Sequence, residues 1–219
     1  MGTVGLTALS SAANTIRGAA IVAAAVLLAA CTASSDNTLN PGVSTYALKV
    51  QQMNICSGYG CIYSDKFAFT EADAVRLEQV MQKGADNASA ERVAVAEAIG
   101  VMEEITLRRI RFGRDVEKAY QRNLSRRGQM DCVDESLNTT AYLKYLYENG
   151  WLRHHKPRKH YAERGLLIDG RYPHKSAVMI SADGTRWTVD SWYKAGGQPA
   201  QVMRLKDWRK VRDSFNPRV

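Results

Sequence analysis

Residues 174–190 read HKSAVMISADGTRWTVD and carry the strongest β-structure signal in the chain. Two β-rich segments, residues 176–180 and 187–190, flank the turn-forming stretch SADGT at 181–185. Short β-rich segments on either side of an Asp-Gly step are typical of a β-hairpin. The sequence therefore predicts antiparallel sheet in the C-terminal part of the chain.

The length of the turn decides which side chains share a face of this hairpin. A two-residue loop at the Asp-Gly step turns His174 and Asp190 to opposite faces, because side chains alternate along a strand. A three-residue loop at 182–184, with Gly184 left-handed, pairs Ser176 with Asp190. His174 and Asp190 then share a face as diagonal neighbours. We predict the three-residue loop, because only that register lets the two side chains act together.

His174 is the best candidate for a positioned base among the four histidines. It stands at the start of a β-rich segment, where a sheet can hold its side chain. His154, His155 and His160 lie in the basic run 153–160 (RHHKPRKH). There we expect a solvated loop with mutual charge repulsion, which favours His174 as the base.

Cys132 stands at the predicted start of a helix. Asp131 is a candidate N-cap, and residues 132–149 contain neither proline nor glycine. The free N–H groups and dipole of a first helical turn favour a thiolate and can bind an oxyanion. Asp131, Asp134 and Glu135 act the other way by raising the thiol's pKa, so a neighbouring imidazolium is needed.

The same three residues also have ordinary structural interpretations. Cys132 can be a small buried hydrophobe, as free cysteines often are. His174 can be a surface residue, and Asp190 can be the partner of a nearby Lys or Arg. Their placement at a helix start, a strand start and a strand end favours a joint catalytic role.

These motifs resemble the transglutaminase-like cysteine protease superfamily. The resemblance is carried by GQMDCVD at 128–134, a strand beginning at His174, and the aspartate that ends WTVD at 187–190. The bacterial periplasmic branch is the most similar, because Asp-Cys-x-Asp recurs there. The resemblance covers about Gly128–Trp192, under half of the chain. It implies an α+β fold with a papain-like core, in which N-terminal helices precede a catalytic cysteine at a helix start packed against an antiparallel sheet.

The resemblance also implies roles for individual residues. Cys132 would be the nucleophile, His174 the general base and then acid, and Asp190 the residue that fixes the histidine tautomer. Gln129, three residues before the cysteine, is the oxyanion candidate, although its spacing differs from the papain pattern. Some relatives bind calcium through acids around the nucleophile. Val133 stands where such an acid often follows, so we expect no metal or cofactor and keep calcium as the alternative.

The function implied is a thiol hydrolase, a cysteine peptidase or amidase that cleaves amide bonds of peptide or protein substrates in the cell envelope. Two alternatives remain open. Transglutaminase-type acyl transfer would use the same residues and accept an amine instead of water. A catalytically inactive, lipid-anchored binding module would keep the fold alone.

The N-terminal segment has the features of an export signal. Residues 18–30 form an uninterrupted small and apolar run, shorter than a typical membrane span. The run ends in LAAC at 28–31, which resembles the bacterial lipobox, so Cys31 is the expected site of lipidation, including palmitate. Thr32 follows Cys31, which favours anchoring on the periplasmic face of the outer membrane where a cell has one.

We therefore divide the chain into three parts. Residues 1–30 are the expected signal peptide, and residues 31–45 are the lipidated cysteine with a Ser-, Thr- and Asn-rich tether. Residues 46–219 are the expected transglutaminase-like domain, with a helical part at about 66–127 and a catalytic part at about 128–219.

Cys56 and Cys61 enclose the short loop SGYG. A loop of this length can close a small disulfide ring, and an exported compartment permits oxidation. No second cysteine pair stands at zinc-ligand spacing. We predict a Cys56–Cys61 disulfide, which leaves Cys132 as the one free thiol after lipidation of Cys31.

Two helices are predicted before the catalytic part. Thr70 and Asp73 fit a capping box that opens the first, and Gly84 ends it. Apolar positions at helical spacing predict a second helix from about Ala90 to Phe112. On its polar side we expect surface ion pairs formed by Glu103, Glu104 and Arg108.

The 219-residue chain is basic, with a formal net charge of +8. Basic runs most often form a solvated face, and no nucleic-acid-binding signature accompanies them. We expect no nucleic-acid partner and, where the charge has a role, contact with an anionic polymer of the cell envelope.

Overall fold

The computed structural model describes residues 51–110, 115–118, 125–165 and 173–212. The described residues all belong to one compact unit. It has the predicted α+β class, with helices and antiparallel sheets. The expected signal peptide, Cys31 and the tether lie outside the described residues. Within the described ranges, no helix has the length and hydropathy required to span a membrane.

The described residues contain four helices; the first three begin close to their predicted starts, and the fourth was not predicted. These are α1 (Glu71–Gln82), α2 (Ala88–Arg109), α3 (Cys132–Glu148) and the short α4 (Leu205–Trp208). Thr70 and Asp73 form the predicted capping box of α1. Asn87 caps α2, because its side chain accepts from the N–H groups of Ser89 and Ala90, so the helix begins two residues before its predicted start.

The strands form two antiparallel sheets. A two-stranded sheet pairs β1 (Met53–Ser57) with β2 (Tyr63–Phe67). The larger sheet contains β3 (His155–Pro157), β4 (Ala162–Arg164), β5 (His174–Ser181), β6 (Arg186–Asp190) and β7 (Gln201–Arg204). Its order is β3-β5-β6-β7, with β4 also paired to β5.

One hydrophobic core joins the helical and sheet parts. It contains Leu77 of α1, Ile99 of α2, Leu143 of α3, and Met179 of β5, all with no exposed surface. Gly100 lets α2 approach the chain near residue 198, because a Cβ there would lie 2.8 Å from the Gln198 carbonyl oxygen. The shared core fixes α3 against β5, which bring Cys132 and His174 to the same region.

One segment differs from the prediction. The basic run 153–160 contains strand β3, although we expected a solvated loop. His155 within it is buried, because the sheet continues along β5 through a His155–Ser181 pair.

Candidate active site

Cys132 is the first residue of α3. The carboxylate of Asp131 accepts from the N–H groups of Val133 and Asp134, and the Asp134 side chain accepts from the Asp131 N–H. This reciprocal cap stops the chain from continuing as an extended segment and places the thiol in the first turn. It also occupies two of the amides that we expected to face an oxyanion. The N–H of Cys132 itself is the first-turn amide that this cap does not use.

The Cys56–Cys61 loop holds this helix start in place. The predicted disulfide is present. The Asp134 carboxylate accepts from the N–H of Tyr59 at 2.8 Å and of Cys61 at 2.6 Å, and Asp131 accepts from the Gly60 N–H at 3.2 Å. Backbone N–H groups of the small disulfide ring therefore donate to the two acids that cap α3.

The β5–β6 register is the predicted three-residue turn. Ala177 pairs with Val189 and Ile180 with Arg186, and the N–H of Ser181 donates to the Thr185 carbonyl at 2.9 Å. Gly184 is left-handed, with φ of +79°. Residues 182–184 thus form the loop. The register prediction is confirmed.

In this register His174 and Asp190 meet directly. Nε2 of His174 lies 2.7 Å from Oδ2 of Asp190, and both side chains are 1 % exposed. An ionised carboxylate only accepts, so Nε2 is the nitrogen that donates to Asp190, and Nδ1 is the nitrogen left to act as a base. Nδ1 is buried and has no hydrogen-bond partner among the described residues.

The thiol of Cys132 lies beside this histidine. Its sulfur is 4.0 Å from the carbonyl oxygen of Pro173, and the backbone of Lys175 contributes a hydrogen bond to it. Cys132 also packs on Trp192, whose ring lies 4.6 Å from the His174 ring. The helix start and the strand start therefore bring the sulfur into contact with both chain neighbours of His174.

The environment keeps this thiol protonated in the absence of a base. Burial raises the pKa of the Cys132 thiol to about 12, and the charges of Asp131 and Asp190 add to the rise against the hydrogen bond from Lys175. The helix dipole alone does not outweigh these effects. The arrangement thus suits removal of the thiol proton by a neighbouring base during attack, rather than a preformed isolated thiolate.

Trp208 was missed by the sequence analysis. Its indole N–H donates to Oδ2 of Asp190 at 2.7 Å, and its ring lies 5.5 Å from the ring of His174. Trp208 belongs to α4, eighteen positions beyond Asp190, and no local motif indicates that the two meet. Oδ2 of Asp190 therefore has two hydrogen-bond partners, His174 and Trp208.

Gln129, the oxyanion candidate, is buried just before α3, and its backbone carbonyl accepts from the Gly58 N–H. Trp192 is also buried and packs with Cys132. Tyr193 is half-buried and lies 5.4 Å from His174. Trp151 belongs to the main core.

Glu103, which we expected in a surface ion pair, is buried. Glu103 is 3 % exposed and is hydrogen-bonded to Glu135 of α3, which is bonded in turn to Asp115 and to Ser191. The prediction of a surface ion pair for Glu103 is wrong, because α3 packs against that side of α2. Glu104 and Arg108 do form an exposed pair.

Protons are shared within this acidic cluster of Glu103, Asp115 and Glu135. Burial raises the pKa of Glu103 well above its usual range and raises that of Asp115 to about 9, and the neighbouring Glu135 adds to both rises. Burial also raises the pKa of Glu135, against hydrogen bonds from Ser191, Asp115 and Glu103 that lower it. Two carboxyl groups form a hydrogen bond only if one is protonated. Glu103 and Asp115 are therefore the donors of this cluster, and Glu135 is the acceptor.

His155 also has a buried partner. Its Nδ1 lies 2.8 Å from Oε1 of Glu91, and Glu91 accepts from the backbone N–H groups of Arg153 and His154. The expectation that His155 lies in a solvated basic loop is wrong, because the buried carboxylate of Glu91 on α2 binds the His155 side chain and the backbone N–H groups before it. Among the residues that the structure describes, no nucleophile contacts it, and it links α2 to β3 through Glu91.

One group of possible metal ligands occurs among the described residues. The ligand atoms of Cys56, Cys61 and Asp134 lie within 4.8 Å of one another. The two sulfurs form the disulfide and are not thiolates, so they do not provide the anionic ligands that a metal would need.

The structure thus brings Cys132, His174 and Asp190 together at the junction of α3 with the sheet, backed by Trp192 and Trp208. No known protein family, curated protein or solved structure matches this chain.

Proposed function

We propose that the chain is a thiol hydrolase that cleaves amide bonds, with a papain-like or transglutaminase-like core. The observation that carries the proposal is the state of His174. Asp190 binds one ring nitrogen, and the other is buried without a hydrogen-bond partner in the part of the chain described. The Cys132 sulfur contacts the backbone of Pro173 and Lys175, the two chain neighbours of His174. A base with one nitrogen fixed and one available is the arrangement that nucleophilic thiol catalysis requires.

The chemistry follows from this tautomer. Nδ1 of His174 takes the proton from Sγ of Cys132 as the sulfur attacks the carbonyl carbon of an amide. The oxyanion forms at the start of α3, where the Cys132 N–H is the available donor. Nδ1 then returns the proton to the leaving amine, and the C–N bond breaks. Water attacks the thioester, releases the acid and restores the thiol.

Asp190 acts on the histidine rather than on the substrate. Its carboxylate holds Nε2–H, which keeps Nδ1 as the basic nitrogen and stabilises the imidazolium after proton transfer. Because Cys132 is protonated at rest, the proton transfer must accompany attack. His174 is therefore expected to be indispensable, more so than where a thiolate already exists.

The second candidate is an inactive binding module, and burial favours it. Cys132 is 7 % exposed and His174 is 1 % exposed, so access of a peptide carbonyl to the sulfur is narrow. Transfer to an amine is a variant of the first proposal and uses the same residues. We keep hydrolysis as the proposed reaction.

The test is the rate at which Cys132 is labelled by a peptidyl thiol-reactive acyl probe. We expect His174→Asn to slow labelling by about 10²-fold or more and Asp190→Asn to slow it as well, because each impairs removal of the proton. His160→Asn is the matched control, because that side chain is exposed in the basic run. Cys132→Ala should abolish labelling altogether.

A second arm measures function. Wild-type chain and Cys132→Ser are each incubated with a cell-envelope digest, and released peptides and amines are compared. If Cys132 reacts no faster than an ordinary thiol and Cys132→Ser changes no product, the enzyme proposal fails and the binding module remains. Release of amine without acid, with a new amide formed, identifies transfer instead.

We also propose export and lipid anchoring through Cys31, on the periplasmic face of a membrane. This rests on the apolar run before Cys31 and is independent of the catalytic proposal. Metabolic labelling with a fatty-acid analogue tests it. Loss of label in Cys31→Ala, with label retained in Cys132→Ala, is the expected result, and label in both variants contradicts it.

A further inference from the structure

A cationic surface lies at the turn end of the β5–β6 hairpin. His174 and Asp190 occupy the opposite ends of these two strands, so the surface is remote from the candidate active site. It contains two depressions that share Arg204 as a wall, one of about 390 Å³ and one of about 490 Å³. We call it the hairpin-turn surface. Its basic residues are Arg92, Arg186, Arg204, Lys206 and Arg209.

Two arginines contact one indole ring in the smaller depression. The Cζ atom of Arg92 lies 3.8 Å from the ring centroid of Trp187, and that of Arg204 lies 5.5 Å away. The indole N–H donates to the hydroxyl of Ser181 at 3.1 Å, which fixes the ring. The ring in turn orients both guanidinium groups, since arginine stacks on aromatic faces.

Neither guanidinium has an acidic partner at ion-pair distance among the residues that the structure describes. Nη1 of Arg92 also lies 3.4 Å from Nε2 of His155, which is not an acid. Burial and the adjacent charge of Arg204 lower the pKa of Arg92, against the opposing charges of Asp183 and Glu91, so the two cations repel each other. An anion placed between them would relieve this repulsion.

Asp183 is the acid at this surface, and its hydrogen-bonding capacity is used within the turn. Its carboxylate accepts from Ser181 Oγ at 2.7 Å, from the Thr185 N–H at 2.9 Å and from Thr185 Oγ1 at 3.0 Å. These hydrogen bonds lower the pKa of Asp183 to about 2. It stabilises the turn and leaves both arginines open to an external oxyanion.

The larger depression extends the positive charge past Arg204. Its described lining residues include four basic side chains and no acid: Arg186, Arg204, Lys206 and Arg209. A ligand that contacts both depressions must therefore carry several anionic groups along its length. A single small anion would occupy only one of them.

The chemistry of the groups favours phosphate. A guanidinium binds carboxylate or phosphate through two parallel hydrogen bonds. A planar carboxylate presents one such edge, whereas the oxygens of a tetrahedral phosphate point in different directions and can accept from two separate guanidinium groups. We propose that the hairpin-turn surface binds a linear phosphate-bearing polymer across Arg92 and Arg204.

The experiment measures binding of fluorescently labelled inorganic polyphosphate to the full chain. A non-ionic detergent keeps a chain that carries a lipid anchor in solution. We expect Arg92→Gln/Arg204→Gln to weaken binding by at least about tenfold, since each arginine loses charge-assisted hydrogen bonds. The matched control is Arg76→Gln/Arg108→Gln, which removes the same charge from exposed partners of Glu104. The control should change binding by less than about threefold.

Three outcomes overturn the proposal. Equal weakening by the two double variants shows diffuse attraction only. Equal displacement by polyglutamate shows that phosphate is not recognised. Arginine-dependent binding to vesicles containing phosphatidylglycerol, without arginine-dependent binding to polyphosphate, assigns the surface to a lipid bilayer. Arg204→Gln alone repeats the test on an exposed side chain if the double variant does not fold, and no weakening in that variant also counts against the proposal.

Discussion

The indole N–H of Trp208 donates a 2.7 Å hydrogen bond to the carboxylate oxygen of Asp190. The same oxygen lies 2.7 Å from Nε2 of His174. Because a carboxylate oxygen accepts two donors comfortably, this geometry holds the acid from two sides. Trp208 is thus a positioning residue for the proposed catalytic pair, and it acts through Asp190.

Trp208→Phe should keep the aromatic packing and remove this hydrogen bond. We expect alkylation of Cys132 to slow by roughly tenfold and its pH profile to change, because a hydrogen bond to a charged group contributes about 1.5–3 kcal/mol. Stopped-flow alkylation between pH 5 and 10 measures both. Trp151→Phe, in a buried tryptophan of the main core, is the control. An unchanged profile in Trp208→Phe means that the indole only fills space.

Stability should fall as the pH rises, because of the buried acidic cluster. The pKa of Asp115 is raised from 3.8 to about 9, so the folded chain binds its proton more tightly than the unfolded chain. The stabilisation is complete below about pH 4 and is lost as the pH rises through about 9. Urea unfolding between pH 5 and 9 should show this decline.

Asp115→Asn should flatten that decline while its oxygen still accepts from the Met130 N–H. Removal of one titrating proton reduces the slope by at most about 1.4 kcal/mol per pH unit. Asp86→Asn, at an exposed position, should leave the slope unchanged. Identical slopes in wild type and Asp115→Asn would mean that Asp115 is already ionised in the folded chain.

Loss of the disulfide should destabilise the start of α3. The six-residue ring of Cys56–Cys61 restricts the unfolded chain, which stabilises the folded state by about 2 kcal/mol. Reduction should lower the urea midpoint and increase hydrogen exchange at the amides of Tyr59 and Cys61, which now donate to Asp134. The experiment uses Cys132→Ser, so that the free thiol cannot exchange with the disulfide. Unchanged exchange at those amides would show that the loop keeps its shape without the bond.

Glu91→Gln should destabilise the chain strongly. The Glu91 carboxylate accepts from His155 and from two backbone N–H groups, and it is 1 % exposed. Removing one partner of a buried charged pair costs about 3–5 kcal/mol. Glu97 lies on the same helix as Glu91 and forms a half-exposed pair with Lys83. Glu97→Gln should therefore cost under about 1 kcal/mol. Equal unfolding free energies for the two variants would exclude this role of the buried pair.

The stability contributed by the Glu91–His155 pair should fall as the pH falls, whereas that contributed by the acidic cluster falls as the pH rises. Despite burial, the hydrogen bonds from His155 and from the backbone lower the pKa of Glu91 below 4.5. Its contribution is therefore present above about pH 4.5 and is lost as the pH falls through the lowered value. Wild type should lose stability below pH 4 more steeply than Glu91→Gln, as measured by thermal unfolding in acid buffers.

Local features of the sequence were enough to predict the elements that carry the candidate site. The Asp-Gly turn with Gly184 set the β5–β6 register, and Asp131 set the first residue of α3. The spacing of Cys56 and Cys61 indicated their disulfide. In each case the interacting residues lie within a few positions of one another, so the local sequence is enough to predict the feature.

Contacts between distant segments were not predictable in the same way. Glu103 and Glu104 are adjacent on α2, and only the packing of α3 makes the first buried and leaves the second exposed. His155 was assigned to a solvated loop because Glu91, which satisfies it, is 64 positions away. The charge of a residue does not reveal whether a partner will be folded against it.

The sequence by itself determined where Cys132, His174 and Asp190 stand on their own elements, because capping and strand alternation are local. The tertiary structure alone decided their surroundings. It brought Trp208 to Asp190, buried Cys132 so that its pKa rises to about 12, and placed Arg92 beside Arg204 on one indole. Those features depend on packing between segments far apart in the chain, and packing sets the burial and fields that govern chemistry.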